Sequence, residues 1–225
     1  MTFAVFNPAD LHVILPELFI CGAAFSLLMA DLFIDARRRA LIHFLAITVL
    51  LSAILLTVRD MQPDTLTAFS GMFVRDIAGD VLKIGIYAVT AFALLKSEFY
   101  VLCLFAVLGM MLMVSAGNLT VLYLGLELLA LSSYGLVAFD RDNPRASEAA
   151  MKYFVLGAIA SGLLLYGMSM LYGATGSLQI EAIRAASSLT QSPTMFSLGV
   201  VFILAGIAFK FAAVPFHMWL PDVYQ

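Results

Sequence analysis

Charge is the property that this sequence has least of. Asp, Glu, Lys and Arg together make up 12% of its 225 residues, whereas hydrophobic residues make up 63%. A soluble domain carries about 25% charged residues, so this balance excludes a soluble globular protein. The apolar stretches are continuous and about twenty residues long, which indicates helices that cross a membrane and not the alternating strands of a transmembrane barrel.

Cysteine is almost absent, and the common cofactor-binding motifs are missing. Cys21 and Cys103 each lie inside an apolar run without CxxC or metal-ligand spacing, so we interpret both as small buried hydrophobic side chains. Walker A, GxGxxG, HExxH and haem-binding CxxCH patterns do not occur, and no paired histidines suggest a haem or metal. We therefore expect no bound nucleotide, no metal and no redox centre in this chain.

The apolar runs predict an all-α fold, a polytopic transmembrane helical bundle of about seven spans. Each candidate is long enough to cross a hydrocarbon core of about 30 Å. Two connections are longer than the others, 59–76 and 174–194, and the second has the composition of a short amphipathic surface helix. The candidate spans are 11–34, 40–58, 77–95, 99–116, 118–139, 147–173 and 195–214.

Basic residues in the loops predict the orientation of the bundle, because Lys and Arg are enriched in cytoplasmic loops. The loops on the other side of the membrane carry three arginines: Arg59, Arg75 and Arg184. The loops predicted to be cytoplasmic carry six basic residues: Arg37, Arg38, Arg39, Lys96, Arg141 and Arg145. The N-terminus is therefore expected on the outer, periplasmic side.

Lys210 follows fifteen uncharged residues in the last span. A lysine at the centre of a bilayer costs about 2.5–3.5 kcal/mol on insertion scales, so such a residue usually serves a partner, a proton or an ion. Pro215 should break the helix and free backbone carbonyls near this lysine. His217 follows, either as a proton relay or as a buried histidine that bonds one of those carbonyls.

Glu127 lies near the middle of the fifth span. Its carboxylate would be stable in its ionised form only beside an opposite charge. Lys210 is a natural partner, because both residues are expected at a similar depth in the membrane. A static ion pair that fixes helix packing is the alternative. Because three lysines (Lys83, Lys152 and Lys210) accompany this one central glutamate, a chain of titratable groups that conducts a proton or ion explains the sequence better.

Other polar residues lie closer to the ends of their spans. Lys152 stands near the start of span six and either reaches to the cytoplasmic surface or lies buried as a relay. Asp80 and Lys83 are three residues apart, which favours an interfacial ion pair on one helix face. Glu17 is expected near the outer surface, and Trp219 and Tyr224 are expected as interface anchors. Recurring small residues predict close helix contacts: Gly157, Ser161, Gly162, Gly199 and Gly206.

The stretch Phe209–Gln225, FKFAAVPFHMWLPDVYQ, closely resembles the seventh-helix signature of the antiporter-like membrane subunits of respiratory complex I. The same broad family includes subunits of multisubunit cation/proton antiporters and membrane-bound hydrogenases, which commonly read Pro-Asp-Ala where this chain reads Pro-Asp-Val-Tyr. Tyr123–Leu128 and Ser132–Tyr134 are similar to the family's fifth helix. The resemblance extends from about residue 99 and is weak before it.

The resemblance implies a fold of fourteen helices with two inverted five-helix repeats, each containing a broken helix. Residues 1–98 would form an N-terminal three-helix segment, and 99–225 would form an incomplete first repeat. The eighth helix and the second repeat would then lie beyond Gln225, so we expect this chain to be the N-terminal part of a longer protein.

The resemblance also implies a function, proton translocation driven by quinone reduction elsewhere in NADH-quinone oxidoreductase. Glu127 and Lys210 would be the paired charges, Lys152 an intermediate relay and His217 a bridge to the next helix. The chain would hold no catalytic residue, and NADH, FMN, iron–sulfur clusters and quinone would bind other subunits. The expected partners are the other membrane subunits and the lipid bilayer, with no nucleic acid and no soluble small-molecule ligand.

The resemblance places the chain in a bacterial inner membrane, with an organellar inner membrane as the alternative location. A subunit of a cation/proton antiporter or a membrane-bound hydrogenase is the alternative function. The Pro-Asp-Val-Tyr ending favours the oxidoreductase.

Overall fold

The computed structural model describes residues 8–33, 39–94, 99–140, 142–187 and 192–224. Four of the basic residues that predict the orientation lie outside these ranges: Arg37, Arg38, Lys96 and Arg141. The periplasmic N-terminus therefore stays a prediction.

Helices make up most of the described chain, which confirms the all-α transmembrane class. Apolar side chains on successive turns drive these segments into helices, because only a helix satisfies every backbone hydrogen bond within one segment in lipid. The helices are α1 Pro8–Val13, α2 Leu15–Phe33, α3 Arg39–Arg59, α4 Ile77–Leu94, α5 Tyr100–Val114, α6 Leu119–Val137, α7 Pro144–Thr175, α8 Ile180–Ala186, α9 Pro193–Lys210 and α10 Leu220–Val223.

Six of the seven expected spans are helices of sufficient length and apolarity to cross a membrane. The exception is α5, whose 15 residues extend about 22 Å at a rise of about 1.5 Å per residue. The longest is α7, whose 32 residues extend about 48 Å, more than the hydrocarbon core requires. The short helix expected in the 174–194 connection is present as α8.

The 59–76 connection contains an antiparallel hairpin that the sequence did not predict. Strand β1 (Leu66–Ala68) pairs with β2 (Phe73–Arg75), with Leu66 opposite Arg75. Residues 69–71 all have positive φ, although only the last of them is glycine. The amide of Val74 donates to the carbonyl of Ser115 at 2.8 Å, which fixes the hairpin to the end of α5.

Contacts divide the chain into two compact units, residues 1–117 with 124–132, and residues 118–123 with 133–225. The boundary that the sequence predicts at residue 98 lies between structural repeats. Units defined by contacts do not test such a boundary, so it stays a prediction. The first unit has a core formed by apolar side chains of α2, α3, α4 and α5. Its fully buried members include Ile20, Ala24, Ile42, Leu50, Tyr87, Leu94, Leu104 and Met111.

The second unit depends on close antiparallel packing of α7 and α9. A Cβ atom at Gly167 would lie 2.7 Å from the carbonyl oxygen of Gly199, and one at Gly206 would lie 2.9 Å from that of Ala160. These contacts confirm the predicted role of small residues, because only glycine permits such backbone approach. Gly162 differs, since a Cβ there would meet no atom within 4 Å.

Replacing Gly167 with Ala should therefore destabilise the α7–α9 pair by about 1–3 kcal/mol, because the added methyl overpacks the contact. Gly162→Ala on the same helix is the matched control and should be neutral or slightly stabilising, since alanine is the better helix former. Thermal unfolding of both variants in detergent measures the difference. Equal midpoints for the two variants would contradict the packing described here.

Candidate functional site

Lys210 is the last residue of α9, and the helix breaks directly after it. The amide of Phe211 still bonds the carbonyl of Ile207, but Ala212 adopts a positive φ of 51° and turns the chain out of the helix. The Val214–Pro215 bond that follows is cis. The predicted break around Pro215 is therefore present, and its first effect is to place the lysine at a helix terminus.

One backbone carbonyl at this break, that of Phe209, has two hydrogen-bond partners. The carbonyl of Phe209 accepts hydrogen bonds from the amide of Ala212 at 2.9 Å and from the indole Nε1 of Trp219 at 3.2 Å. His217 is exposed. The side chain that bonds this carbonyl is therefore that of Trp219.

Trp219 is not a membrane-interface anchor, and that prediction was wrong. The side chain is 6% exposed and stacks on Tyr153 of α7 with ring centroids 4.5 Å apart. The ring centroid of Phe209 lies 5.6 Å from that of Trp219. The chain after the break thus folds back onto α7 and α9, which sequence position alone does not reveal. Tyr224, the second expected anchor, is exposed.

Lys152 is exposed and ion-paired, which excludes a buried position for it, while its role as a relay stays a prediction. Its Nζ lies 2.9 Å from Oε1 of Glu148 and 3.0 Å from Oδ2 of Asp222. Its side chain is 48% exposed, because it lies only nine residues into the overlong α7. A cavity of about 460 Å³ adjoins this Lys152–Asp222 bridge, with Asn143 and Arg145 also in its lining.

The antiparallel register of α7 and α9 relates Lys152 to Lys210 along the helix axis. Gly199 lies against Gly167, and Gly206 lies against Ala160. Continuing this register puts Lys210 level with residue 156 of α7. Four residues of α-helix rise about 6 Å, so the two lysines differ in depth by about one turn.

Glu127 is half-buried on α6. Two residues earlier, a Cβ at Gly125 would lie 2.7 Å from the carbonyl oxygen of Gly109, so α5 and α6 meet backbone to backbone beside it. Glu127 belongs to the first compact unit and Lys210 to the second. Their pairing stays a prediction.

The first unit contains a buried charge cluster formed by Glu17, Arg75, Asp80 and Lys83. Lys83 Nζ lies 2.7 Å from Glu17 Oε1 and 3.8 Å from Asp80 Oδ1. The Nε of Arg75 donates to both carboxylate oxygens of Asp80, at 3.0 and 3.1 Å. All four side chains are at most 5% exposed.

The structure adds two features that the sequence did not predict. The Asp80–Lys83 pair is fully enclosed by protein, and the closer partner of Lys83 is Glu17 on another helix. Glu17, in the first turn of α2, is buried between helices. The sequence signal was a carboxylate directly after Pro16 in an apolar helix, but its partner lies 66 residues away. Among the residues that the structure describes, no three His, Cys, Asp or Glu side chains converge as metal ligands.

Apolar spans, a helix broken beside a lysine and charges enclosed between helices define a polytopic integral membrane protein with ionisable residues inside its helix bundle. Comparisons with known proteins identify the family within this class. Residues 116–225 match the family described as "NADH:quinone oxidoreductase/Mrp antiporter, TM". The chain belongs to this family of antiporter-like membrane subunits, which includes NADH-quinone oxidoreductase subunit N.

Curated relatives carry that subunit's name. The chain is 47% identical to NADH-quinone oxidoreductase subunit N of Thioalkalivibrio sulfidiphilus, over all of this chain and 49% of the relative. It is 50% identical to the subunit of that name from Xanthomonas euvesicatoria, over all of this chain and 48% of the relative. The chain thus spans about half the length of the curated relatives it matches.

Two solved structures share the fold. A chain of respiratory complex I from Thermus thermophilus aligns with a TM-score of 0.78 and 29% identity, over 93% of this chain and 47% of that chain. A chain of the membrane-bound sulfane sulfur reductase, an archaeal respiratory membrane complex, aligns with a TM-score of 0.80 and 24% identity, over 95% and 47%. The second likeness concerns the fold alone.

Trp219→Phe tests the fold-back of the segment after the break. Loss of the indole hydrogen bond should cost about 1 kcal/mol, which raises the open population of residues 211–223 about fivefold. The rate at which a protease cleaves this segment in the detergent-solubilised protein measures that population. Tyr224→Phe, at an exposed ring five residues later, should leave the rate unchanged, and equal rates for both variants would argue against the fold-back.

Proposed function

We propose that this chain is a proton-translocating part of a membrane subunit of NADH-quinone oxidoreductase. Membership of the antiporter-like family supports the proposal, as does the name shared by the curated relatives. Translocation is then coupled to quinone reduction on other subunits, where NADH, FMN, iron–sulfur clusters and quinone bind. This chain contributes no catalytic residue, and its neighbours are other membrane subunits and lipid in the bacterial inner membrane.

The observation that carries the proposal is the position of Lys210 at the broken end of α9. Its Nζ is buried, at the end of a run of fifteen uncharged residues, 195–209. A discontinuous helix brings polar backbone and water to the middle of a membrane in many transporters, which is where a mobile proton needs them. A purely structural lysine does not require a helix break beside it.

Glu127 and Lys210 form the core of the proposed relay. With the carboxylate ionised and near, the lysine is stable in its protonated form, because an opposite charge favours the charged state. When the carboxylate is neutralised or moves away, desolvation favours loss of the proton. Lys210 then passes its proton onward, and the break at Pro215 gives the segment room to move.

Lys152 serves as the relay between Lys210 and water at the end of α7. Its depth, about one turn from that of Lys210, and its contact with the adjoining cavity support this role. His217 follows the break and is exposed in this chain, so its imidazole is available to the helices that continue the path.

A cation/proton antiporter subunit or a membrane-bound hydrogenase subunit is the second candidate. The family description supports it, because the description names Mrp antiporters together with the oxidoreductase. The two candidates differ in their partners. Co-purification with NADH-oxidising subunits supports the oxidoreductase, whereas assembly only with other antiporter subunits supports the alternative.

Lys210→Ala and Glu127→Gln, each made in the assembled complex, test the relay. Both complexes should assemble and oxidise NADH, while proton uptake into reconstituted vesicles falls several-fold, because each change removes one titratable group of the path. Proton pumping per NADH oxidised is the measurement.

Arg184→Ala is the matched control, because its charge lies on α8 with 81% of its side chain exposed. Pumping by this variant should equal that of the wild type. Normal pumping by both relay variants would refute the relay, and failure of both to assemble would instead support static ion pairs that fix helix packing.

A further inference from the structure

The buried charge cluster of the first unit is not used by the proposed relay. Its four members are two carboxylates and two cations, enclosed by α2, α4 and the hairpin. We propose that this cluster is a second proton site, a hydrated pair of Glu17 and Lys83 that exchanges a proton with water beneath the hairpin. The proposal depends on the geometry of these residues and not on the Glu127–Lys210 relay.

Lys83 has two carboxylates within reach. Its Nζ is in close contact with Glu17 Oε1 at 2.7 Å, and Asp80 Oδ1 lies at 3.8 Å on the other side. The carboxylate of Asp80 is already held by both bonds from Arg75 Nε. Apart from the Lys83 contact, the described residues give Glu17 one long hydrogen bond, from the Ser115 hydroxyl at 3.5 Å. Of the two carboxylates, Glu17 is therefore the one able to take a proton from the lysine.

Several polar atoms in the cluster are buried with no hydrogen-bond partner among the residues that the structure describes. They include Oε2 of Glu17 and Nη2 of Arg75. A charged group with an unsatisfied atom in a low-dielectric interior is costly, and native structures usually satisfy such atoms with internal water. The carboxylate oxygen accepts and the guanidinium donates, so water bound between helices here would meet both requirements.

The cluster lies at one end of its helices. Glu17 is in the first turn of α2, and Asp80 is in the first turn of α4. Arg75 ends β2, and Ser115 caps the C-terminus of α5. Because helix ends lie near the membrane surface, a short file of water suffices to reach the aqueous phase, with the hairpin as its cover.

The proton step conserves charge. Transfer from the Lys83 ammonium to Glu17 breaks one N–H bond and forms one O–H bond, which leaves a neutral amine beside a carboxylic acid. The acid then gives its proton to water, and the amine takes one back. The other ionisable groups facing the pair are Asp80 and Arg75, with the Tyr87 hydroxyl one turn further along α4. The packed α3 and α5 contribute the uncharged hydroxyls of Thr57 and Ser115.

Hydroxyl-radical footprinting of the assembled wild-type complex tests the hydration directly. Met111 is fully buried, and its sulfur accepts a hydrogen bond from Tyr87 at 3.4 Å. Water in the cluster should make Met111 oxidise several-fold faster than Met168, a methionine of α7 that is 8% exposed. A Met111 rate no higher than that of Met168 would overturn the proposal, and this test needs no variant to fold.

Glu17→Gln tests the exchange step. In the assembled complex the wild type should show a protonated-carboxyl infrared band that changes with pH, and this band should be lost in the variant. Glu181→Gln, at an exposed residue of α8, should retain it. A band that persists unchanged in Glu17→Gln would overturn the assignment of the proton to Glu17.

The double variant Glu17→Met/Lys83→Met separates a proton site from a static ion pair. Replacing a buried pair by apolar residues of similar volume is often neutral for stability. If the pair is static, the double variant should assemble, and the wild type either lacks the pH-dependent band or shares it with the double variant; either result refutes the proposal. If the pair exchanges a proton, the variant should assemble and lose the band. If the double variant fails to assemble, footprinting of the wild-type complex still tests the proposal.

Discussion

The structure depends on one constraint: charged side chains buried away from bulk water must be paired by other groups of the protein. Inside a membrane bundle, a carboxylate or ammonium is stable only where the protein supplies its partners, because solvation by lipid is negligible. Glu17, Arg75, Asp80 and Lys83 meet this requirement together, and their bonds join α2, α4 and the hairpin. The same electrostatic need that holds these elements together also leaves titratable groups where a proton could be exchanged.

The second unit meets a related constraint at the level of the backbone. A broken helix exposes carbonyls that lipid cannot satisfy. Here the Trp219 indole bonds the Phe209 carbonyl, and Tyr153 stacks on the same ring. The Lys152–Asp222 bridge adds a second contact between α7 and the segment after the break. The segment after the break beside Lys210 is therefore held against α7 and α9 by these contacts.

Length and apolarity predicted most of the helices, because a membrane span is a local property of about twenty residues. The break near Pro215 was predictable for the same reason, since proline acts on its own turn. The hairpin was not predictable, because its positive-φ turn contains only one glycine and depends on contacts with the end of α5. The partners of Trp219 and Glu17 are equally non-local, so the burial of either side chain could not be predicted from the sequence.

The sequence by itself determined that this is an integral membrane protein, and its terminal motif determined the family. Both are local signals, in composition and in a contiguous run of residues. Only the tertiary structure decided which charges meet, since Glu17 and Lys83 stand on different helices and find each other through packing. It also decided that Lys152 is exposed and bound to Asp222, because the length of α7 carries that residue beyond the apolar part of the span.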